Sequence, residues 1–172
     1  MLDATRGMES QDQNIFSLIQ RNNRGVIILV NKCDLVSNLG ESSKIIKDQI
    51  KDKISPFIDV PIIFISVLNK QRVLKAVKSA IEIYERLYSR ISTSKLNDYM
   101  LDIINQNPPP SVKGKRIKIK YITQLPTKKP SFAFFCNLPQ YIKESYKRFL
   151  ENKLRKEFSF HGVPIQLFFR KK

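Results

Sequence analysis

Five apolar residues, Val26 to Val30, run without interruption into Asn31-Lys32-Cys33-Asp34. A continuous apolar run of this length, rich in β-branched side chains, predicts a strand buried on both faces of a parallel sheet. The polar group that follows then falls at the strand's carboxyl end, where open α/β sheets place their ligands. Asn-Lys-x-Asp there fits a loop that reads guanine. The Asp34 carboxylate can accept two hydrogen bonds from the N1–H and N2–H₂ edge of the base. Adenine lacks that donor pair and would leave the carboxylate desolvated and unpaired. Asn31 can brace the loop, and the aliphatic stem of Lys32 can lie over the base.

The rest of the first half repeats the alternation. Ile15, Phe16, Leu18 and Ile19 predict one face of a helix over Glu9 to Asn22, and Ile46, Ile50 and Ile54 predict a second that stops before Pro56. Pro61 to Ser66 reads as another buried strand. Val73, Val77, Ile81, Tyr84 and Tyr88, with Leu74 and Leu87 beside them, predict a long helix over Lys70 to Ile91. Strands alternating with helices imply βαβ units and a parallel sheet, of which only a second half is present. Leu2-Asp3-Ala4 reads as the end of one further strand.

The character changes near Ser92. Leu96, Tyr99, Met100, Ile103 and Ile104 give a helical stripe ended by Pro108-Pro109-Pro110. Lys115 to Ile122 alternates, with Ile117, Ile119 and Tyr121 on one face and Lys118 and Lys120 on the other. Phe132 to Cys136 is a strand, Pro139 opens a helix carrying Ile142, Tyr146, Phe149, Leu150 and Leu154, and Ile165 to Phe169 is a last strand. The order α-β-β-α-β is that of a small α+β domain, so the chain divides into 1–91 and 92–172.

Charge follows the same division. The chain of 172 residues carries a formal net charge of +16; residues 1–91 hold 14 Lys/Arg against 10 Asp/Glu, and residues 92–172 hold 17 against 5. Such a balance points to a polyanionic partner, nucleic acid before an anionic membrane. No apolar run approaches the length of a membrane span. Two cysteines, Cys33 and Cys136, supply no disulfide framework and suit a reducing cytoplasm. His161, in a turn with no Cys or carboxylate cluster near it, is a poor metal ligand. Phe132, Phe134, Phe135, Phe168 and Phe169 read as core, although alternation sets Phe135 opposite Phe134.

Asp3-Ala4-x-x-Gly7, Gln11-Asp12, Asn31-Lys32-x-Asp34 and Ile65-Ser66 before a long helix resemble the second G domain of the Der (EngA) family, bacterial GTPases with two tandem G domains. The remainder resembles that family's C-terminal KH-like domain: Ser94 and Leu96, Pro108 to Pro110, Gly114-Lys115-Arg116, Tyr121, Thr123-Gln124, Pro130, Phe132, Phe135, Asn137, Tyr146-x-Arg148-x-Leu150, Leu154-Arg155 and Gly162-x-Pro164-Ile165. Era also joins a G domain to a KH domain, but its GXXG loop has no counterpart here.

The resemblance implies a fold of two parts, α/β then α+β: a partial P-loop-NTPase-type parallel sheet, the C-terminal half of a G domain, followed by a three-stranded KH-like domain. It implies guanine recognition by Asn31, Lys32 and Asp34, with Ser66 opening a second base-contacting loop and the backbone amide of Val67 reaching guanine O6. The family has Ala where this chain has Val67. The chain contains no Gly-x-x-x-x-Gly-Lys-Ser/Thr, no switch Thr and no Asp-x-x-Gly before Asp3, the parts that hold phosphates and Mg²⁺. GTP or GDP is therefore the cofactor of the intact parent; this fragment is expected neither to bind it tightly nor to hydrolyse it alone. The other expected partners are the missing N-terminal G domains and ribosomal RNA or the 50S subunit, in large-subunit assembly. The RNA-contact candidates are Lys113, Lys115, Arg116, Lys118, Lys120, Lys128 and Lys129, with a second basic set at Lys143, Lys147, Arg148, Lys153, Arg155 and Lys156. The alternative is a non-enzymatic RNA- or ribosome-binding adaptor with a remnant G domain.

Overall fold

A computed structural model describes residues 1–112, 114–127 and 129–171. The chain forms two compact units, one of Met1–Arg86 with His161–Pro164, the other of Leu87–Phe160 with Ile165–Lys172.

The first unit is α/β. Strands β1 (Leu2–Asp3), β2 (Ile28–Asn31) and β3 (Ile62–Phe64) form a parallel sheet in that order. Helix α1 (Ser10–Arg21) starts at a capping box, Glu9 and Asp12 satisfying each other's backbone amides. Helix α2 (Leu39–Ile54) follows β2, and α3 (Val73–Tyr88) follows β3. One core gathers Phe16, Val30, Cys33, Ile50, Ile54, Phe57 and Phe64; a smaller one holds Ile63, Ile65 and Ala76.

Two helix faces differ from the periodicity. In α1 only Phe16 is buried, while Ile15 and Leu18 are exposed. In α3 the buried residues are Ala76 and Ile83, and the stripe of Leu74, Val77, Ile81, Tyr84 and Tyr88 faces solvent. Ala76 joins Ile63 and Ile65 in the smaller core, and Ile83 packs beside Gly25 and Gly162, whose lack of side chains makes room for it.

Residues 161–164 reinforce the first unit. The Gly162 amide donates to the Asp59 carbonyl at 2.8 Å, and its carbonyl accepts from the Val26 amide at 2.9 Å. Gly162 has φ +75°, and an added Cβ would lie 2.9 Å from Pro61 and 3.0 Å from the Val26 carbonyl oxygen, so no larger residue fits there. His161 Nδ1 meets the Asp59 carboxylate.

The second unit is α+β. Helix α4 (Thr93–Gln106) is capped by Ser92, whose hydroxyl accepts from the Lys95 amide. Strands β4 (Ile119–Gln124) and β5 (Ser131–Cys136) pair antiparallel, and β6 (Gln166–Lys171) joins β5 in parallel. Pro139 opens only a short 3₁₀ turn, Pro139–Tyr141; the expected helix begins later as α5 (Glu144–Phe158). Leu96 and Met100 of α4 and Leu150 and Leu154 of α5 are fully buried, as are Ile122, Phe132 and Phe134 of the sheet. Tyr146 is buried too, its hydroxyl donating to the Asn107 carbonyl at 2.7 Å, and burial pushes its pKa up to about 12.

The alternation expected in the first of these strands breaks. A bulge between Ile119 and Tyr121 inserts one residue, so Ile122 takes the inward position and Tyr121 turns outward. Ahead of the bulge, the Asn137 side chain stands in for a strand, accepting from the Lys118 amide at 2.9 Å and donating to the Arg116 carbonyl at 3.0 Å.

Candidate base-reading loops and basic surface

Strand β2 ends at Asn31, and the chain turns at once through Lys32, whose φ of 62° is left-handed. For a residue with a Cβ that conformation costs about 1 kcal/mol. It allows Cys33–Leu35 to form a single 3₁₀ turn that buries Cys33 and leaves Asp34 exposed. The Cys33 amide donates to the Ile65 carbonyl at 3.2 Å, fastening this turn to the end of the neighbouring strand.

Beyond β3, Ser66 is fully buried and organises the second loop. Its backbone exchanges two hydrogen bonds with Gln71, and its hydroxyl accepts from the Asn69 amide at 3.1 Å. Lys70 and Arg72 take left-handed conformations to close this turn. The Val67 side chain, 53% exposed, lies outside the core. The Val67 amide donates to Asn31 Oδ1 at 3.1 Å, a bond that joins the two loops directly.

Lys32 does not stand free. Its ammonium pairs with Asp3 at 2.7 Å, from the adjacent strand β1. That contact, with the Thr5 hydroxyl and amide, holds the Asp3 carboxyl well below the usual carboxylate range. The Asn31–Val67 bond thus brings the two loops together at the carboxyl edge of the sheet, with Lys32 and Ser66 as chain neighbours of that pair and Asp34 exposed on the turn after Lys32. The Asp3 partner and the Asn31–Val67 bond are the elements that sequence reasoning missed. Asp3-Ala4 is a motif without an obvious chemical role until the strands are aligned.

The second unit carries the basic residues. Lys115, Arg116, Lys118 and Lys120 are exposed and Lys129 is half-buried, while Lys113 and Lys128 lie outside the described residues. Gly114, at φ +73°, lets Val112 and Lys115 exchange backbone hydrogen bonds, so the chain reverses just before this basic run. No Asp or Glu occurs from Val112 to Pro130. The set on α5 is partly committed elsewhere: Arg155 binds Glu151 at 2.8 Å and the Phe160 carbonyl, and Lys147 pairs with Glu144. Among the described residues no group of His, Cys, Asp and Glu could hold a metal ion, and no helix is long and apolar enough to cross a membrane.

The family profile described as the KH-domain-like, C-terminal part of EngA bacterial GTPase enzymes matches residues 90–170. Over all 172 residues the chain is 59% identical to GTPase Der of Christiangramia forsetii and 55% identical to GTPase Der of Flavobacterium psychrophilum. The chain belongs to the Der (EngA) family. It spans about 40% of the length of the curated relatives it matches, with 40% of the first and 39% of the second covered. The GTPase Der of Phocaeicola vulgatus is 56% identical, and 40% of it is likewise covered. Within the family, the parallel α/β unit answers to part of a G domain and the α+β unit to the KH-like domain.

Proposed function

We propose that these residues are the guanine-reading and RNA-contacting part of a GTPase that acts in assembly of the large ribosomal subunit. The Asn31–Val67 hydrogen bond carries the first half of this reading. It couples the Asp34 turn to the second loop, so that a base edge would meet Asp34 on one side and the Val67 backbone on the other. In the free protein the Val67 amide is spent on Asn31; a guanine O6 would share it or take it over. Asn31, Lys32, Asp34, Ser66 and Val67 select the base, and the phosphates are held by other parts of the intact parent. The chain by itself turns over no GTP and binds GTP or GDP only weakly, because base contacts alone cannot position a γ-phosphate.

The second half rests on the acid-free basic run from Lys113 to Lys129, whose described members at Lys115, Arg116, Lys118 and Lys120 are exposed. Ribosomal RNA or the 50S subunit is the partner, with the N-terminal G domains of the parent completing the protein. The setting is cytoplasmic, in keeping with two cysteines that are buried and unpaired. The relatives' name, GTPase Der, supports the enzymatic parent. Fluorescence anisotropy with a ribosomal RNA fragment tests the RNA half. Affinity is expected to fall steeply with salt, since each neutralised phosphate adds about −0.7 to −0.9 to the log–log slope. Changing Lys115, Lys118 and Lys120 to Glu should weaken binding at least about tenfold at moderate salt. Undiminished binding by that triple variant would remove the RNA reading.

A further inference from the structure

One face of the second unit's sheet packs Ile122, Phe132 and Phe134 under the helices; the other carries aromatic rings where water can reach them. The register defines that outer face. Tyr121 lies opposite Phe135, which lies opposite Arg170, making one row across three strands. Thr123, Ala133 and Phe168 make the next row, two residues along each strand and so about 7 Å away. Tyr121 is 41% exposed and Phe168 is 40% exposed, and Tyr121 and Phe135 hold their ring centroids 6.0 Å apart. Ala133, between them, is fully buried beneath its neighbours, so the reachable rings are Tyr121 and Phe168 on either side of it.

The composition of the face is one-sided. None of the three strands contains Asp or Glu, while Arg170 ends the first row and Lys118 and Lys120 flank it, all exposed. Exposed rings ringed by cations without carboxylates suit a polyanion that has π-faces of its own. A duplex hides those faces inside its stack; a single strand presents them. We infer that this sheet face binds single-stranded RNA, with unpaired bases stacking on Tyr121 and Phe168 and the phosphates running toward Arg170 and Lys118. The bulge before Tyr121 is what creates the platform, because without it Tyr121 would point into the core. This inference rests on the reading of the unit as RNA-binding and names the form of RNA it takes.

The chain has no tryptophan, so a single F168W substitution places a fluorescent reporter on the face. The full chain is titrated with a single-stranded RNA of about 12 nucleotides and with the same sequence as a blunt duplex. Single strand should quench the reporter and duplex should not. A Y121A/F168A variant should lose about tenfold or more in affinity for the single strand, while its affinity for duplex changes less than about twofold. Both side chains are exposed, and unchanged thermal unfolding of the variant confirms that its fold is intact. If the wild-type chain binds RNA but Y121A/F168A binds the single strand as tightly, the stacking inference is overturned and the RNA reading stands. If the wild-type chain binds neither RNA, both fall, and the face belongs to a protein partner.

Discussion

Asp3, on β1, and Lys32, just past the end of the adjacent β2, act on one loop. The Lys32 ammonium, with the Thr5 hydroxyl and amide, favours the ionised Asp3 carboxylate and depresses its pKa. Because the folded-state value is the lower one, the stabilisation is complete above the unfolded value near 3.9 and is lost as pH falls through the folded value. Asp3→Asn should therefore flatten the acid limb of Tm against pH below about pH 4. Parallel limbs in the variant and the parent would mean that the pair contributes nothing to folding. At this scale the sequence announces Asn31, Lys32 and Asp34 because their identities and spacing are themselves the signal. It is silent on the Asn31–Val67 bond, since the partners are 36 positions apart and the donor is a backbone group that any residue supplies.

The elements show where periodicity carries the structure and where it does not. Helix α4 buries Leu96, Met100 and Ile104, three residues of the stripe that its spacing marks, because a sheet and α5 await that face. Helix α3 has an equally regular stripe, yet its Leu74 is 85% exposed. Periodicity reports an apolar face; it does not report whether anything in the same chain covers it. Likewise the alternation of Lys115 to Ile122 is real, but a bulge leaves no mark in an apolar pattern and reverses Tyr121 and Ile122. The exposed row on α3 gives an element-scale prediction. The chain should self-associate with rising concentration in sedimentation experiments, and V77E/I81E should abolish this without lowering Tm by more than a few degrees. Association unaffected by those charges would assign it to another surface. The edge strand β3 is guarded differently: Arg72 donates to the Phe64 carbonyl, and Lys47 and Lys75 line the recess beside it.

Across the whole molecule, charge and packing divide the chain in the same sense. The second unit holds most of the excess positive charge and a core with several fully buried large side chains. The first has one substantial core and, on the other face of its sheet, a small one around Ile63, Ile65 and Ala76. Amide hydrogen exchange should therefore find the slowest protons in β5, α4 and α5, with β1 to β3 exchanging faster; equal protection would contradict this ordering. Fold class was legible because alternating helix and strand patterns and a change of composition near Ser92 are properties of long stretches. The joining of residues 161–164 to the first unit was not, because four residues of a turn carry no pattern that names their neighbours.

Guanine reading by these loops is tested most directly at Asp34, in the intact parent that supplies the phosphate contacts. Xanthine carries a carbonyl where guanine has its amino group, so an amide at this position should prefer xanthine. Titration with GDP and XDP should show D34N losing at least about tenfold in GDP affinity and gaining for XDP, as expected when a hydrogen-bonding pair between side chain and base is mismatched and then restored. If D34N retains the parent's preference for GDP, the Asn31-to-Asp34 turn does not read guanine.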